Sequence, residues 1–337
     1  MAEGDGHKNG AAPGAPARNP GVTMAVERTG GPGGIHSPEL DLGGIRVRWL
    51  YDNDFHLDGG AMFGVVPKVL WSRRYPCDER NFIPLVTCPI LVEAGGMRIL
   101  IDTGLGDKLN EKQRRNFGVR GPSHLEESLA ALGLAPEDID VVVLTHFDFD
   151  HASGVSYRDE HGQLRPRFPR ARHVIQAAEW DDARHPDLRT ANTYWRENWE
   201  PLAEAGLVEP LDGEASLAPG VRVVPTGGHT RGHQVVLLEG SRATALHLAD
   251  LLPTHGHRNP LLVMAYDNFP LTSVEQKRRW LEAAVAGGWW ILFYHDPFVL
   301  AARPDEEGWA ELVRTGRRGL PGDTESPATG HLPRDAE

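Results

Sequence analysis

The sequence predicts a layered fold of the α/β or α+β class, in which helices cover β-sheets. Three observations support this prediction. Short apolar runs typical of strands alternate with helical patterns across residues 41–314. The runs do not recur at the short fixed period of a repeat protein. Potential metal ligands directly follow several of the runs, in the loops at strand ends where functional residues concentrate.

Two patterns mark the predicted strands. Residues 45–50 alternate apolar and polar side chains, which is typical of a half-buried strand, and an apolar run dominates residues 140–145, as in a strand buried on both faces. Residues 89–93 and 97–102 flank a Gly-Gly pair and predict a hairpin. Further strands are predicted at residues 173–176, 221–225, 234–238, 243–248 and 289–294.

Helices are predicted from capping residues and periodicity. Ser123 and Glu126 have the spacing of a capping box, which predicts a helix N-terminus. Residues 191–205 have a helical pattern. Thr272 and Glu275 predict the cap of a long helix that ends near residues 287–288.

The two ends of the chain have the composition of disordered tails. The first 34 residues contain nine glycines and four prolines and almost no large apolar side chains. Such a segment buries too little surface to offset its ordering entropy. We therefore expect one folded domain over residues 41–314, with tails at residues 1–40 and 315–337.

Composition narrows the class of partner. The formal net charge of −12 argues against a nucleic acid or an anionic membrane and favours a small-molecule substrate. No apolar run approaches the roughly 20 residues of a membrane helix, and the N-terminus lacks a signal-peptide layout. The two widely spaced cysteines predict a reducing cytoplasm. The sequence leaves open whether the protein forms a homodimer.

Histidine and aspartate side chains follow four of the predicted strands. The segment from His146 to His151 contains four potential ligands in six residues. The others follow later strands, namely His229, His233, Asp250 and His295. Imidazole and carboxylate together suit zinc, iron, manganese or cobalt. We expect two divalent ions, zinc first, that share a hydroxide nucleophile.

The spacing predicts a division of these ligands between two metals. His146 and Asp148 could serve one ion, and Asp150 and His151 the other. His229 and His295 would complete the two sets, with Asp250 as the bridge. Two further residues are predicted to lie behind the ligands: Asp102, which could orient a ligand histidine, and His233, in a supporting or structural role.

At this point the sequence resembles the metallo-β-lactamase-fold superfamily. Thr145-His146-x-Asp148-x-Asp150-His151 is similar to its HxHxDH signature, in an HxDxDH variant. Gly228-His229-Thr230, Asp250 and His295 follow in the family's order, and Asp102-Thr103-Gly104 resembles its early turn. The resemblance spans about residues 45–300 and implies a four-layer αββα sandwich with two metals at the sheet edges.

Residues 58–68, 264–267 and 293–297 look like the lactonase-like branch, which includes quorum-quenching N-acyl-homoserine lactonases and methyl-parathion-hydrolase-like enzymes. This resemblance implies that a bridging hydroxide opens a lactone or cleaves a related ester, with a phosphotriesterase side activity. Asp150 would pass a proton to the leaving oxygen. Met62, Phe63 and Tyr266 are predicted to line the substrate pocket.

Asp148 is the one departure, because the family has its second histidine at this position. A carboxylate there makes the site more anionic and favours harder metals. Three readings follow: Asp148 ligates normally, the first site is weakened, or the protein is a diiron oxygen-dependent oxidase or hydroxylase. A fourth is a catalytically silent metal- or ligand-binding homologue.

Overall fold

The computed structural model describes residues 38–315. Most of the two predicted tails therefore lies outside the described residues. The strands are β1 (Glu39–Asp41), β2 (Ile45–Trp49), β3 (Asn53–Asp58), β4 (Phe82–Thr87), β5 (Ile90–Ala94), β6 (Met97–Ile101), β7 (Val141–Val143), β8 (Ser156–Arg158), β9 (Leu164–Pro166), β10 (Arg172–Gln176), β11 (Val208–Leu211), β12 (Ala215–Ala218), β13 (Val221–Pro225), β14 (Gln234–Glu239), β15 (Thr244–His247), β16 (Trp290–Leu292), β17 (Val299–Pro304) and β18 (Trp309–Arg314). The α-helices are α1 (Gly59–Phe63), α2 (Lys68–Trp71), α3 (Glu111–Phe117), α4 (Leu125–Ala130), α5 (Phe149–Ala152), α6 (Ala177–Arg184), α7 (Arg196–Glu204) and α8 (Pro270–Gly287).

Two seven-stranded sheets form the centre of the fold. The first has the order β1-β2-β5-β6-β7-β10-β11, and the second has the order β12-β13-β14-β15-β16-β17-β18. The pairs β6–β7, β7–β10, β10–β11 and β15–β16 are parallel, and the other pairs in the two sheets are antiparallel. Short hairpins, β3–β4 and β8–β9, lie outside these sheets.

Side chains that alternate along the strands pack against the layers on both sides of each sheet. On β14, Val236 and Leu238 join a buried cluster that also contains Val47 and Val141 of the first sheet, so the two sheets pack face to face. Val235 and Leu237 point the other way and pack with α8. The outer face of the first sheet packs in the same manner against α4, α6 and α7. The predicted αββα sandwich is confirmed.

The predicted strands are confirmed to within a few residues, whereas the helix starts are not. The helix predicted from Ser123 begins at Leu125, with His124 instead of Ser123 at the N-cap position and no side-chain cap. The hydroxyl of Ser123 donates to the carboxylate of Asp52 and accepts the backbone N–H of Leu125. The long helix begins at Pro270 rather than near Thr272, since proline suits the first helical turn. The helical pattern of residues 191–205 forms α-helix only over α7.

Several strands were not predicted. The strands that were missed are those of the hairpins β3–β4 and β8–β9 and the strands β11, β12, β17 and β18. Strand β1 begins at Glu39, inside the expected tail. The missed hairpin β3–β4 matters for function, because the backbone N–H of Val86 on β4 donates to the carbonyl of His295. None of the helices within residues 38–315 is long and apolar enough to cross a bilayer.

The layering brings one edge of both sheets together. In the first sheet β6 and β7 end at this edge and lead into Asp102 and His146. In the second sheet the loops after β13, β15 and β16 carry His229, Asp250 and His295. Candidate ligands from two different sheets thus converge on one side of the sandwich.

The turn after α5 packs against the end of β6 at a glycine. A β-carbon on Gly154 would overlap the carbonyl oxygen of Thr103, a backbone atom that cannot move aside easily. We expect Gly154→Ala to destabilise the protein by about 1–3 kcal/mol through overpacking. Gly308→Ala is the matched control, because its β-carbon would meet open space. Urea unfolding of both variants measures the difference, and equal stabilities would contradict this packing.

Candidate metal centre

The first ligand set combines side chains from both sheets. One donor atom from each of His146, His229 and Asp250 lies within 4.8 Å of the others, and all three residues are buried. Asp148 lies beside this set, with its Oδ2 3.0 Å from Nε2 of His229 and 3.6 Å from Nε2 of His146. The Asp148 side chain is 18% exposed, whereas those of the two histidines are at most 2% exposed.

The second set has the same composition. One donor atom from each of Asp150, His151 and His295 lies within 4.8 Å of the others. Oδ1 of Asp250 lies 3.2 Å from Nε2 of His151 and 3.3 Å from Nε2 of His295, while its Oδ2 lies 3.6 Å from Nε2 of His229. The two oxygens of Asp250 therefore face different sets, as a bridging carboxylate requires.

Each ligand histidine is anchored through Nδ1, which leaves Nε2 to face the centre. The four anchoring pairs are His146 with Oγ1 of Thr145 (3.0 Å), His151 with Oδ2 of Asp102 (2.9 Å), His229 with Oδ1 of Asp267 (2.8 Å) and His295 with the carbonyl of Val86 (3.1 Å). An anchored Nδ1 selects the tautomer that has a lone pair on Nε2, and it fixes the orientation of the ring.

These residues fit a pair of divalent ions. Nε2 of His146 is buried and has no hydrogen-bond partner among the described residues, which is costly unless a ligand satisfies it. Neighbouring donor atoms lie 2.9–3.6 Å apart. That spacing brackets the edge of about 3.3 Å expected for a tetrahedron with metal–nitrogen bonds of about 2.0–2.1 Å. The donor types, imidazole and carboxylate, suit zinc and its neighbours.

The electrostatics keep the bridging carboxylate ionised. Burial alone would raise the pKa of Asp250, but His151 and His295 outweigh it and hold that pKa well below its ordinary value. Burial, followed by the neighbouring His151 and His229, lowers the pKa of His146 well below its usual range. Metal ligands must be deprotonated, so an ionised Asp250 and a neutral His146 are the forms that bind.

Two residues of the centre have strained backbone conformations. Asp102 has φ of 55° and Ala249, next to Asp250, has φ of 45°, in the left-handed region that disfavours residues with a β-carbon. Each conformation costs on the order of 1–3 kcal/mol and persists only where the surroundings impose it. At Asp102 the surroundings are clear, because its carboxylate accepts hydrogen bonds from the backbone N–H and hydroxyl of Thr145 as well as binding His151.

The prediction that Asp102 could orient a ligand histidine agrees with its contact with His151. His233 is buried, with Nδ1 held by Thr226, and belongs to neither ligand set. Sequence reasoning missed Asp267 as the anchor of His229, although Asp267 stands in one of the segments that carried the resemblance. It also missed Tyr294, whose hydroxyl donates to the backbone carbonyl of Asp150.

Two of the three residues predicted to line the substrate pocket lie in the hydrophobic core. Phe63 is fully buried between the rings of Trp71 and His257, with centroids at 4.8 and 4.2 Å, and Met62 is buried in the same cluster. Both residues pack the interior instead of facing a substrate. Tyr266 is 38% exposed, and burial together with the nearby carboxylates of Asp58 and Asp150 raises its pKa to about 12. Of the three, Tyr266 remains a candidate for contact with a substrate.

The chain is similar in sequence to proteins described as a probable metallo-hydrolase and as an N-acyl homoserine lactonase. A probable metallo-hydrolase of Mycobacterium tuberculosis is 34% identical over 218 residues, which cover 56% of this chain and 66% of that protein. An N-acyl homoserine lactonase of a Bacillus species is 29% identical over 163 residues, or 45% of this chain and 58% of the lactonase. The chain thus spans less than two thirds of the length of these relatives.

Solved structures share the fold. A probable metal-dependent hydrolase from Staphylococcus aureus has a TM-score of 0.78 and 37% identity, over 83% of this chain and 100% of that one. The dizinc quorum-quenching lactonase AidC has a TM-score of 0.63 at 17% identity, over 84% of this chain and 98% of that chain. A family model, the metallo-beta-lactamase superfamily, matches residues 86–295. Because that match covers more than half of the chain, the protein belongs to the metallo-β-lactamase superfamily.

Proposed function

We propose that the protein is a binuclear metal-dependent hydrolase that opens a lactone or cleaves a related ester. One observation carries the proposal: two sets of buried histidine and aspartate donors face the two oxygens of one carboxylate, Asp250. A carboxylate that faces both sets can contact two ions at once and hold them close together, as in a two-metal site. The N-acyl homoserine lactonases among its relatives support the choice of a lactone.

Zinc is the metal we propose first, because nitrogen and oxygen donors at tetrahedral spacing suit it and because a structural neighbour is described as dizinc. When bound, two divalent ions would supply Lewis acidity towards the carbonyl oxygen and an activated water. His146, Asp148 and His229 would hold one ion, Asp150, His151 and His295 the other, and Asp250 would contact both.

The remaining chemistry falls to side chains around the ions. Oδ2 of Asp150 lies 3.6 Å from Nε2 of His295, on the ligand side. We propose that Oδ1, its other oxygen, carries a proton to the leaving oxygen of the opened ester. The phenol of Tyr266 stays protonated at neutral pH, since its pKa is raised to about 12, and is a hydrogen-bond donor for the substrate.

The charge around the ligands supports an uncharged substrate. Within residues 38–315, the ion pairs of Asp148, Asp150 and Asp250 are all with histidines. Among the described residues no ion pair joins a lysine or an arginine to these carboxylates, which favours a substrate without an anionic group there. Neutral lactones, esters and phosphotriesters meet this condition. We also propose a reducing, cytoplasmic setting, because the sequence has only two cysteines and they are widely spaced.

Asp148 supports a second candidate, a diiron oxygen-dependent oxidase or hydroxylase. Its carboxylate lies within 3.6 Å of both histidines of the first set, so each set would offer two imidazoles, its own aspartate and the shared Asp250. Such a carboxylate-rich centre suits iron or manganese better than an imidazole-rich one does. Two iron ions per purified chain, together with oxygen consumption, would favour this alternative over hydrolysis.

The first prediction from this proposed function concerns enzymatic activity. Purified protein loaded with zinc should hydrolyse members of a panel of lactones, aryl esters and phosphotriesters. His295→Ala should lower kcat/KM by at least about 100-fold, because losing a ligand costs no less than losing its supporting partner. His161→Ala, which changes a histidine whose side chain is 77% exposed, is the matched control and should leave kcat/KM unchanged. Equal turnover in the two variants would rule out the proposed site.

The second prediction concerns stability. Chelation should lower the melting temperature, because ions that bind only the folded protein stabilise it, and their removal takes that stabilisation away. Each ion, at a free concentration of 100 times its Kd, would stabilise the folded protein by about 2.7 kcal/mol. Thermal unfolding with chelator, and then with zinc added back, measures the effect. A smaller shift is expected for His295→Ala, and no shift in the unaltered protein would contradict metal binding.

The third prediction concerns metal preference. Asp148→His removes a negative charge and adds an imidazole, so the first set should shift from harder ions towards zinc. Elemental analysis after dialysis against equal zinc and manganese reports the ratio of the bound metals. Asp212→His adds a histidine at an exposed position and should leave that ratio unchanged. An unchanged ratio in Asp148→His would show that residue 148 does not ligate.

A further inference from the structure

Glu179, on α6, is a fully buried carboxylate that belongs to neither ligand set. It accepts four hydrogen bonds. Oε1 accepts from the backbone N–H of Phe147 (2.9 Å) and from the hydroxyl of Tyr194 (2.5 Å). Oε2 accepts from the hydroxyl of Thr230 (2.7 Å) and from the backbone N–H of Gly232 (3.0 Å). A buried carboxylate is costly, so a complete set of donors indicates a specific role.

Three of those donors lie on the loops that carry the first ligand set. Phe147 stands between His146 and Asp148, in the loop after β7 of the first sheet. Thr230 directly follows His229, and Gly232 is two residues further on, in the loop after β13 of the second sheet. One carboxylate therefore ties a ligand loop of one sheet to a ligand loop of the other.

The loop after β13 is shaped to approach this helix closely. A β-carbon on Gly232 would overlap the backbone nitrogen of Glu179, so only glycine fits there. At the exposed side of the same loop, Arg231 forms ion pairs with Asp181 and Asp182 of α6. Helix α6 thus contacts the loop of His229 both through the buried Glu179 and through exposed ion pairs.

The second ligand set is held by other groups. His151 is anchored by Asp102 and His295 by the carbonyl of Val86. None of the four hydrogen bonds of Glu179 reaches the loops of His295 or Asp250. Phe147 also precedes Asp150 and His151 in its loop, but His151 has its own anchor in Asp102. The effect of Glu179 should therefore fall on the first of the two metal positions.

We propose that Glu179 is a positioning residue for the first metal position, which sets the spacing between His146 and His229. The proposal rests on the binuclear centre proposed above. Without the carboxylate, the two loops would lose their common acceptor and the first position would bind its ion more weakly. The second position would keep its affinity.

The chain offers a matched comparison in Asp296. This carboxylate is also buried and also accepts four hydrogen bonds. Its donors are the backbone N–H and Nδ1 of His255 and the backbone N–H groups of Phe298 and Val299. It follows His295 and joins that loop to the segment after Asp250. Its loss should therefore disturb the second position rather than the first.

The test is a titration of the metal-free protein with cobalt(II), followed by visible absorption and elemental analysis. Glu179→Gln keeps the side-chain volume but leaves one acceptor atom, so two of the four donors lose their partner. We expect the first ion to bind about 10–100-fold more weakly, the usual cost of losing a partner behind a ligand, and the second with its original affinity. Asp296→Asn should weaken the other ion. Glu204→Gln, an exposed change on α7, should still bind two.

Double variants identify the position that is lost. At a cobalt concentration that fills only the tighter position of Glu179→Gln, adding His229→Ala should leave one ion bound, and adding His295→Ala should leave none. Thr230→Val removes a single donor without changing the size of the side chain, and it should weaken the first ion slightly if Glu179→Gln folds poorly. Two ions bound to Glu179→Gln with original affinity, or equal loss from both positions, would overturn the proposal. An unaltered protein that binds no cobalt would overturn the binuclear centre as well.

Discussion

The carboxylate of Asp250 lies between two pairs of imidazoles, and the rest of the centre is arranged around it. It is 8% exposed, with one oxygen towards His151 and His295 and the other towards His229. A buried carboxylate is tolerated only with compensating charge or complete hydrogen bonding. Without metal the histidines provide that compensation, and they hold the pKa of Asp250 well below its ordinary value. The left-handed backbone of Ala249 shows that the loop is strained in order to place this side chain.

A sandwich of two sheets suits such a centre because it fixes ligands from separate parts of the chain on rigid strand ends. His146 and His151 come from the loop after β7 of the first sheet, and His229 and His295 come from loops of the second sheet. Each imidazole is then oriented through Nδ1 by a group behind it, two of which are the buried carboxylates Asp102 and Asp267. The centre is therefore preorganised, and binding a metal requires little rearrangement of the protein.

Asp148 makes the candidate centre more anionic than the family pattern would. It is the most exposed of the candidate ligands, and its carboxylate stands where the family pattern has a histidine. With it, each set has two imidazoles and an aspartate of its own beside the shared Asp250, and the formal charge of a loaded centre falls by one. Less positive charge weakens the activation of bound water and favours harder ions. In our proposal, the identity of the metal and the choice between hydrolysis and oxygen chemistry therefore depend on Asp148.

The sequence by itself determined the donors and the strands that carry them, because both are local. Four ligands in six residues, and apolar runs bounded by turn residues, are legible without neighbours. Tertiary structure decided the rest. Glu179 contacts loop residues that lie 32–53 positions away in the sequence. Asp267 contacts His229, 38 positions away. Ser123 lies one residue before the N-cap of its helix, and its hydroxyl donates to Asp52, 71 positions away in the sequence. Phe63 stacks on the ring of His257, which lies far away in the sequence, and is fully buried. Such long-range contacts follow from how layers pack, and no local pattern in the chain encodes which partner a side chain will meet.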